Sequence, residues 1–142
     1  MKFFAIFNAL AFTSSAIAIN LAWDTNYDSP NASLTTVACS NGDNGLITRF
    51  NFSTFSDLPT FPFIGAAPNI AGFNSPNCGT CFLLNFTNST GTHSIHFTGI
   101  DVGVNSFVTG QNALNSLTNG QAEQLGVIPV NMTIVNATGC GL

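Results

Sequence analysis

Short apolar runs punctuated by Gly, Asn, Pro and Thr fill most of this chain, a pattern of many short strands. Ile19, Leu21 and Trp23 alternate with Asn20, Ala22 and Asp24 and predict a first strand. Leu34 to Val37 predicts a second, ending near Cys39. Ser40-Asn41-Gly42-Asp43-Asn44-Gly45 is a dense turn whose glycines supply positive φ at little steric cost. Residues 50–72 are rich in Phe, Pro and Gly and read as loop with short strand pieces. Ser75-Pro76 predicts the start of a short helix, with Ser as cap, Pro in the first helical position and Gly79 as its limit. Phe82 to Phe86 reads as a buried strand. Ile95, Phe97 and Gly99 alternate with His96, Thr98 and Ile100 in a strand ending at Asp101.

The best helical stretch is 110–117, with Thr109 as the expected N-cap and Ala113, Leu114 and Leu117 on one face. Thr118-x-x-Gln121 has the form of a capping box for a second short helix, Gln121 to Leu125, closed by Gly126. Val130, Met132 and Ile134 alternate with Asn131, Thr133 and Val135 in a last strand. Strands dominate, helices are short inserts, and a small barrel that closes its own edges suits the pattern.

The first residues change the compartment. Lys2, the apolar run Phe3 to Phe12 and the small-x-small Ala16-Ile17-Ala18 have the order of a secretory signal peptide. The run is shorter than the roughly 20 apolar residues a membrane helix needs. Residues 1–18 are therefore expected to be removed, leaving one domain, 19–142, in a secreted, extracellular protein. No later stretch is long and apolar enough for a membrane helix.

Charged residues are 6% of the chain, against about a quarter in ordinary globular proteins. Beyond the signal peptide Arg49 is the only Lys or Arg, facing Asp24, Asp28, Asp43, Asp57, Asp101 and Glu123. Phosphate recognition draws on Arg and Lys, so nucleic acid and anionic membrane surfaces are poor partners. Few charges also mean weak self-repulsion and a tendency to self-associate. The N-x-S/T sequons at Asn31, Asn51, Asn85, Asn88, Asn131 and Asn136 are glycosylation candidates in a secreted chain, with Asn85 and Asn88 close enough to interfere.

Four cysteines, Cys39, Cys78, Cys81 and Cys140, read in a small secreted domain as two disulfides, and spacing leaves three connectivities open. Cys78-Gly-Thr-Cys81 has the form of a redox motif, but no βαβ pattern surrounds it. A zinc site would need the cysteines with His93 and His96, which oxidation in the secretory route opposes. On a strand those two histidines face opposite sides. No metal and no cofactor is expected.

Several segments together resemble the cerato-platanin family. They are Val37-Ala38-Cys39-Ser40-Asn41-Gly42 with Asn44-Gly45-Leu46, and Phe61-Pro62-Phe63-Ile64-Gly65. The most specific is Gly72-Phe73-Asn74-Ser75-Pro76-Asn77-Cys78-Gly79-Thr80-Cys81. Ile100-Asp101, Leu117-Thr118-Asn119-Gly120-Gln121-Ala122 and Cys140-Gly141-Leu142 follow, so the match in order and spacing runs from about residue 19 to 142. The resemblance implies a mainly β fold, a six-stranded double-ψ β-barrel related to expansins and barwin-like barrels. It also implies disulfides Cys39–Cys78 and Cys81–Cys140. Members are fungal proteins of the culture fluid and cell wall, associated with chitin oligomers, non-hydrolytic loosening of wall material, surface activity and elicitation of plant defence through host recognition. Many carry Trp or Tyr where this chain has Phe73 and Phe82, and Asn where it has Val108; Phe keeps the apolar payload without a polar handle.

Asp101 is the only carboxylate at the end of a core-type strand, where a barrel mouth would lie, and it resembles the groove aspartate of related barrels. Asn74, Asn77 and Asn105 are its expected hydrogen-bonding neighbours on polysaccharide, with Tyr27 in a polar turn as the surface aromatic. Trp23 alternates with Leu21 and is expected in the core. Inverting glycoside hydrolysis needs two carboxyl groups at about 6.5–9.5 Å, and the candidates for a second are Asp24 and Asp28. No residue is assigned a catalytic role. The expected function is a non-catalytic wall-associated protein that binds polysaccharide such as chitin oligomers; the alternatives are a surface-active, self-associating hyphal coat or elicitor protein, and a weak endoglucanase-like hydrolase.

Overall fold

The computed structural model describes residues 17–142; the signal-peptide reading of residues 1–18 thus falls almost wholly outside them. Six strands form the wall: β1 (Ala18–Trp23), β2 (Ile64–Ala67), β3 (Cys81–Asn88), β4 (Gly91–Val102), β5 (Phe107–Thr109) and β6 (Val127–Val135). They close in the order β1-β5-β2-β4-β3-β6. Pairs β1/β5 and β2/β4 are parallel and the rest antiparallel, so the barrel is mixed. Closure leaves no strand edge unpaired. This is the closed six-stranded barrel expected from the family resemblance, with β1, β3, β4 and β6 where the alternation places them.

Period-2 alternation builds the interior. Leu21 in β1, Phe82 and Leu84 in β3, Phe97 in β4, Phe107 in β5 and Ile128 in β6 are buried together. Phe107 meets Phe82 and Phe97 edge-on at centroid distances of 4.9 and 5.4 Å. That is a preferred arrangement for aromatic quadrupoles. Alternation fails where β4 is covered on both faces: Phe97, Thr98, Gly99 and Ile100 are all buried. The Thr98 hydroxyl there pairs with that of Thr60 at 2.7 Å. Both disulfides join the expected cysteines, Cys39–Cys78 and Cys81–Cys140.

Helices are short inserts: α1 (Leu46–Phe50), α2 (Gln111–Thr118) and α3 (Ala122–Leu125). The N-terminus of α2 departs from expectation. Gly110 holds the cap position and Thr109 belongs to β5, its hydroxyl donating to the Ile64 carbonyl at 2.9 Å. The capping acceptor is distant in sequence: Asp28 takes the Gln111 and Asn112 N–H groups at 2.8 and 3.0 Å. The second helix starts one residue later than expected and without the capping box. Gln121 holds the cap position, Thr118 ends α2 and its Oγ1 accepts from Gln121 N at 3.1 Å, and Asn115 Oδ1 takes the Ala122 N–H at 2.9 Å. The Gly126 N–H closes the helix on the Ala122 carbonyl as expected.

Two elements are corrected. Leu34–Thr36 is a 3-10 turn, not a strand, because Ser33 accepts from Thr35 N and the Thr36 hydroxyl folds back onto the Ser33 carbonyl at 2.7 Å. Local side-chain bonds outcompete β propensity there. Residues 75–79 form turns, not a helix. Cys78 N–H closes on the Ser75 carbonyl and Thr80 N–H on the Asn77 carbonyl. Two disulfides anchor this segment, and Gly79 at φ +80° turns it away before a second helical turn.

Candidate functional site

The chain leaves β1 through Asp24, whose N–H donates to the Thr109 carbonyl at 2.8 Å. Its side chain then caps a 3-10 turn, Thr25–Asp28, by accepting from Asn26 N at 2.9 Å. That turn presents Tyr27. The ring lies nearly parallel to Phe55, centroids 6.2 Å apart, and its hydroxyl donates to Asp101 Oδ2 at 3.0 Å.

Asp101 owes its position to a bulge. The register of β2 on β4 shifts between Gly65 and Ala66: Gly65 pairs with Gly99 and Ala66 with Asp101, which leaves Ile100 without a partner on β2. Bulges re-aim the side chains that follow them. The Ile100 carbonyl instead receives the Cys39 N–H at 3.0 Å. Asp101 Oδ1 accepts from Ala38 N at 3.1 Å and from Val102 N at 2.9 Å. The carboxylate therefore ties the Cys39 segment, the end of β4 and the Tyr27 turn together.

Around this pair opens a cleft of about 510 Å³, lined by Asp24, Asn26, Tyr27, Ser29, Ala32, Thr36, Val37, Phe55 and Asp101. Tyr27, Phe55, Val37 and Ala32 give it an apolar wall, and the other side chains a polar rim. Burial, then the charge of Asp101 and the bond to it, then the charge of Asp24, push the Tyr27 phenol well above its usual range. Its hydroxyl is a fixed hydrogen-bond donor at any physiological pH.

Of the residues singled out from sequence, Tyr27 and Asp101 come together here. Asn74, Asn77 and Asn105 are not among the cleft's lining residues. Asn74 adopts a left-handed conformation and braces the 42–45 turn, accepting from Asn44 N at 2.9 Å. Asn77 donates to the Asn69 carbonyl at 2.6 Å. Asn105, also left-handed, turns the chain between β4 and β5. Asp28 is spent on the cap of α2, whereas Asp24 shares the cleft with Asp101. Trp23 packs against the core and donates to the Ala122 carbonyl at 2.9 Å.

The walls Val37 and Phe55, and the rim residues Asn26, Ser29 and Thr36, had no sequence signal: nothing in composition or spacing relates residue 55 to residue 27. Phe82 is fully buried, whereas Phe73 is 66% exposed. Arg49 lies elsewhere, over the Phe50 ring and donating to the Cys78 carbonyl at 3.0 Å. His93 and His96 pair with Phe86 and Leu83, on opposite faces of β4. Among the described residues no cluster of His, Cys, Asp and Glu is placed to hold a metal ion. Of the sequons, Asn31, Asn51, Asn131 and Asn136 are exposed, and Asn85 and Asn88 half-buried. Asn85 stands directly opposite Asn131 on the neighbouring strand.

The profile of the cerato-platanin family matches residues 19–142, the whole barrel with both disulfides. The crystal structure of cerato-platanin 2 from M. perniciosa superposes with a TM-score of 0.84 at 47% identity, covering 88% of this chain and 99% of that one. The solution structure of the fungal elicitor cerato-platanin gives 0.73 at 35% identity, over 86% of this chain and 96% of that one. A heat-stable 19 kDa antigen of Coccidioides immitis is 37% identical over 148 aligned residues, 98% of either chain. Barrel closure, both disulfides and full-length similarity agree, and the chain belongs to the cerato-platanin family.

Proposed function

We propose that the protein is a secreted, non-catalytic wall-associated protein that holds polysaccharide in the Tyr27–Asp101 cleft. The carrying observation is the cleft's construction. A half-buried aromatic face lies beside a carboxylate that three donors orient. Sugars present apolar ring faces and hydroxyl groups, and a cleft with an apolar wall and a few placed polar groups meets both. Asn74, Asn77 and Asn105 are committed to turns, so we assign the contacts to Tyr27 and Asp101. Family membership supports a wall partner, and one relative is named as an elicitor.

Calorimetric titration with N-acetylglucosamine oligomers of increasing length is the test. Saturable heat that grows with length, and weakens in Asp101→Asn, is the expected result. Unchanged affinity in that variant would move the site elsewhere, and no heat at millimolar ligand would remove the reading.

Asp24, which lines the same cleft as Asp101, is the one feature that favours hydrolysis. The bonds at Asp101 are all received, an arrangement for accepting hydrogen bonds, whereas a general acid must deliver a proton. Release of reducing ends from a wall polysaccharide would reverse this assignment. Exposed Phe73, Val104, Val127 and Ile134 on a chain with few charges favour surface activity as a further role. A surface tension unchanged by the protein at any concentration would exclude it.

A further inference from the structure

The chain contains the Asn-Gly pairs Asn41-Gly42, Asn44-Gly45 and Asn119-Gly120. The dipeptide is prone to spontaneous deamidation because glycine leaves its amide nitrogen sterically open. That nitrogen attacks the Asn side-chain carbonyl carbon, ammonia leaves, and a five-membered succinimide forms. Water then opens the ring to aspartate or to isoaspartate. The reaction needs the glycine N–H free to deprotonate and the Asn side chain free to swing over it.

By sequence the pairs are alike; the fold separates them. Gly45 N–H is bound to the Gly42 carbonyl at 3.0 Å, and the Asn44 side chain is held by its donation to the Asn74 carbonyl at 3.0 Å. Gly120 N–H is bound to the Asn115 carbonyl at 2.9 Å, closing the end of α2. Asn41 is exposed. Among the described residues neither its side chain nor the Gly42 N–H has a hydrogen-bond partner.

We propose that Asn41 is a spontaneous deamidation site of the folded protein, whereas Asn44 and Asn119 are protected by their backbone bonds. Conversion places a new carboxylate in the loop between Cys39 and α1, a segment tied to the end of β4 by the Ala38 N–H on Asp101 and the Cys39 N–H on the Ile100 carbonyl. The isoaspartate product also lengthens the main chain by one methylene in that loop.

The experiment incubates the folded, disulfide-intact protein in mildly alkaline buffer and follows each pair by peptide mass mapping, with isoaspartate resolved from aspartate. A reduced and alkylated sample in urea runs alongside. The expected result is conversion at Asn41 several-fold faster than at Asn44 and Asn119 in the folded protein, with the three rates converging in the unfolded one. An Asn41→Gln variant should lose the fast phase. Conversion at Asn44 or Asn119 as fast as at Asn41 in the folded protein would overturn the proposal. So would the same preference for Asn41 in the unfolded chain, since flanking sequence and not the fold would then be the cause.

Discussion

Replacing Tyr27 by Phe keeps the ring on Phe55 and removes only the hydroxyl that donates to Asp101 Oδ2. A hydrogen bond to a charged group contributes about 1.5–3 kcal/mol. Both partners here are half-buried, so water replaces part of it and the expected loss at neutral pH is about 1 kcal/mol. The alkaline side is more specific. The fold raises the phenol's pKa, through burial first and then through Asp101 and Asp24. The unfolded chain releases this proton near the ordinary value of about 10, while the folded chain retains it. The contribution to stability is therefore complete below about pH 10 and is lost as pH climbs toward the folded value. One proton sets a limiting slope of about 1.4 kcal/mol per pH unit. Solvent screening at this partly exposed ring reduces the loss to about 1–2 kcal/mol between roughly pH 10 and 12. The window is clean: there is one Tyr, every Cys is in a disulfide, and residues 19–142 contain no Lys. Tyrosinate absorbance on folded and urea-unfolded protein, with urea unfolding curves at several alkaline pH values, measures both quantities. We expect tyrosinate to appear well above pH 10 in the folded protein only, and the alkaline loss of stability to vanish in Tyr27→Phe. A folded midpoint near 10, or the same alkaline loss in both proteins, would refute the reasoning.

Asp28→Ala removes the acceptor for the first two N–H groups of α2 and the negative charge at its N-terminus; capping and dipole effects together predict a loss of about 1–2 kcal/mol in urea unfolding, with Asp28→Asn intermediate. Replacing Cys81 and Cys140 together by Ser opens a loop spanning 59 residues, worth about 4 kcal/mol in the chain-entropy account. Denaturation of that double variant should show the corresponding fall in midpoint, and an unchanged midpoint would mean that the unfolded chain is already constrained.

Strands with one face on the barrel interior were legible because burial of that face imposes period 2 on the residues. Leu21, Phe82, Phe97 and Val130 all fall on it. Disulfide pairing came from family resemblance, since spacing leaves three connectivities open. Leu34–Val37 misled because β-branched residues suggest a strand, while Ser33 and Thr36 spend their hydroxyls on the local backbone. Thr109 misled because it has the chemistry of a cap. Its hydroxyl serves the Ile64 carbonyl instead, and the carboxylate of Asp28 arrives through the fold to do the capping.

Local chemistry and hydrophobic period, read together with family resemblance, were enough for the β-barrel, its disulfides and the place of Asp101 near the end of β4, since these rest on side-chain alternation and on motifs local in the chain. The cleft is different in kind. Tyr27, Val37, Phe55 and Asp101 come from separate segments, and their meeting depends on a bulge at Ile100, a 3-10 turn capped by Asp24 and a disulfide-anchored loop. None of these leaves a periodic trace in the sequence. Long-range contacts are set by barrel closure, and the same principle separates chemically identical Asn-Gly pairs: whether a glycine N–H is free depends on which carbonyl the folded chain brings to it.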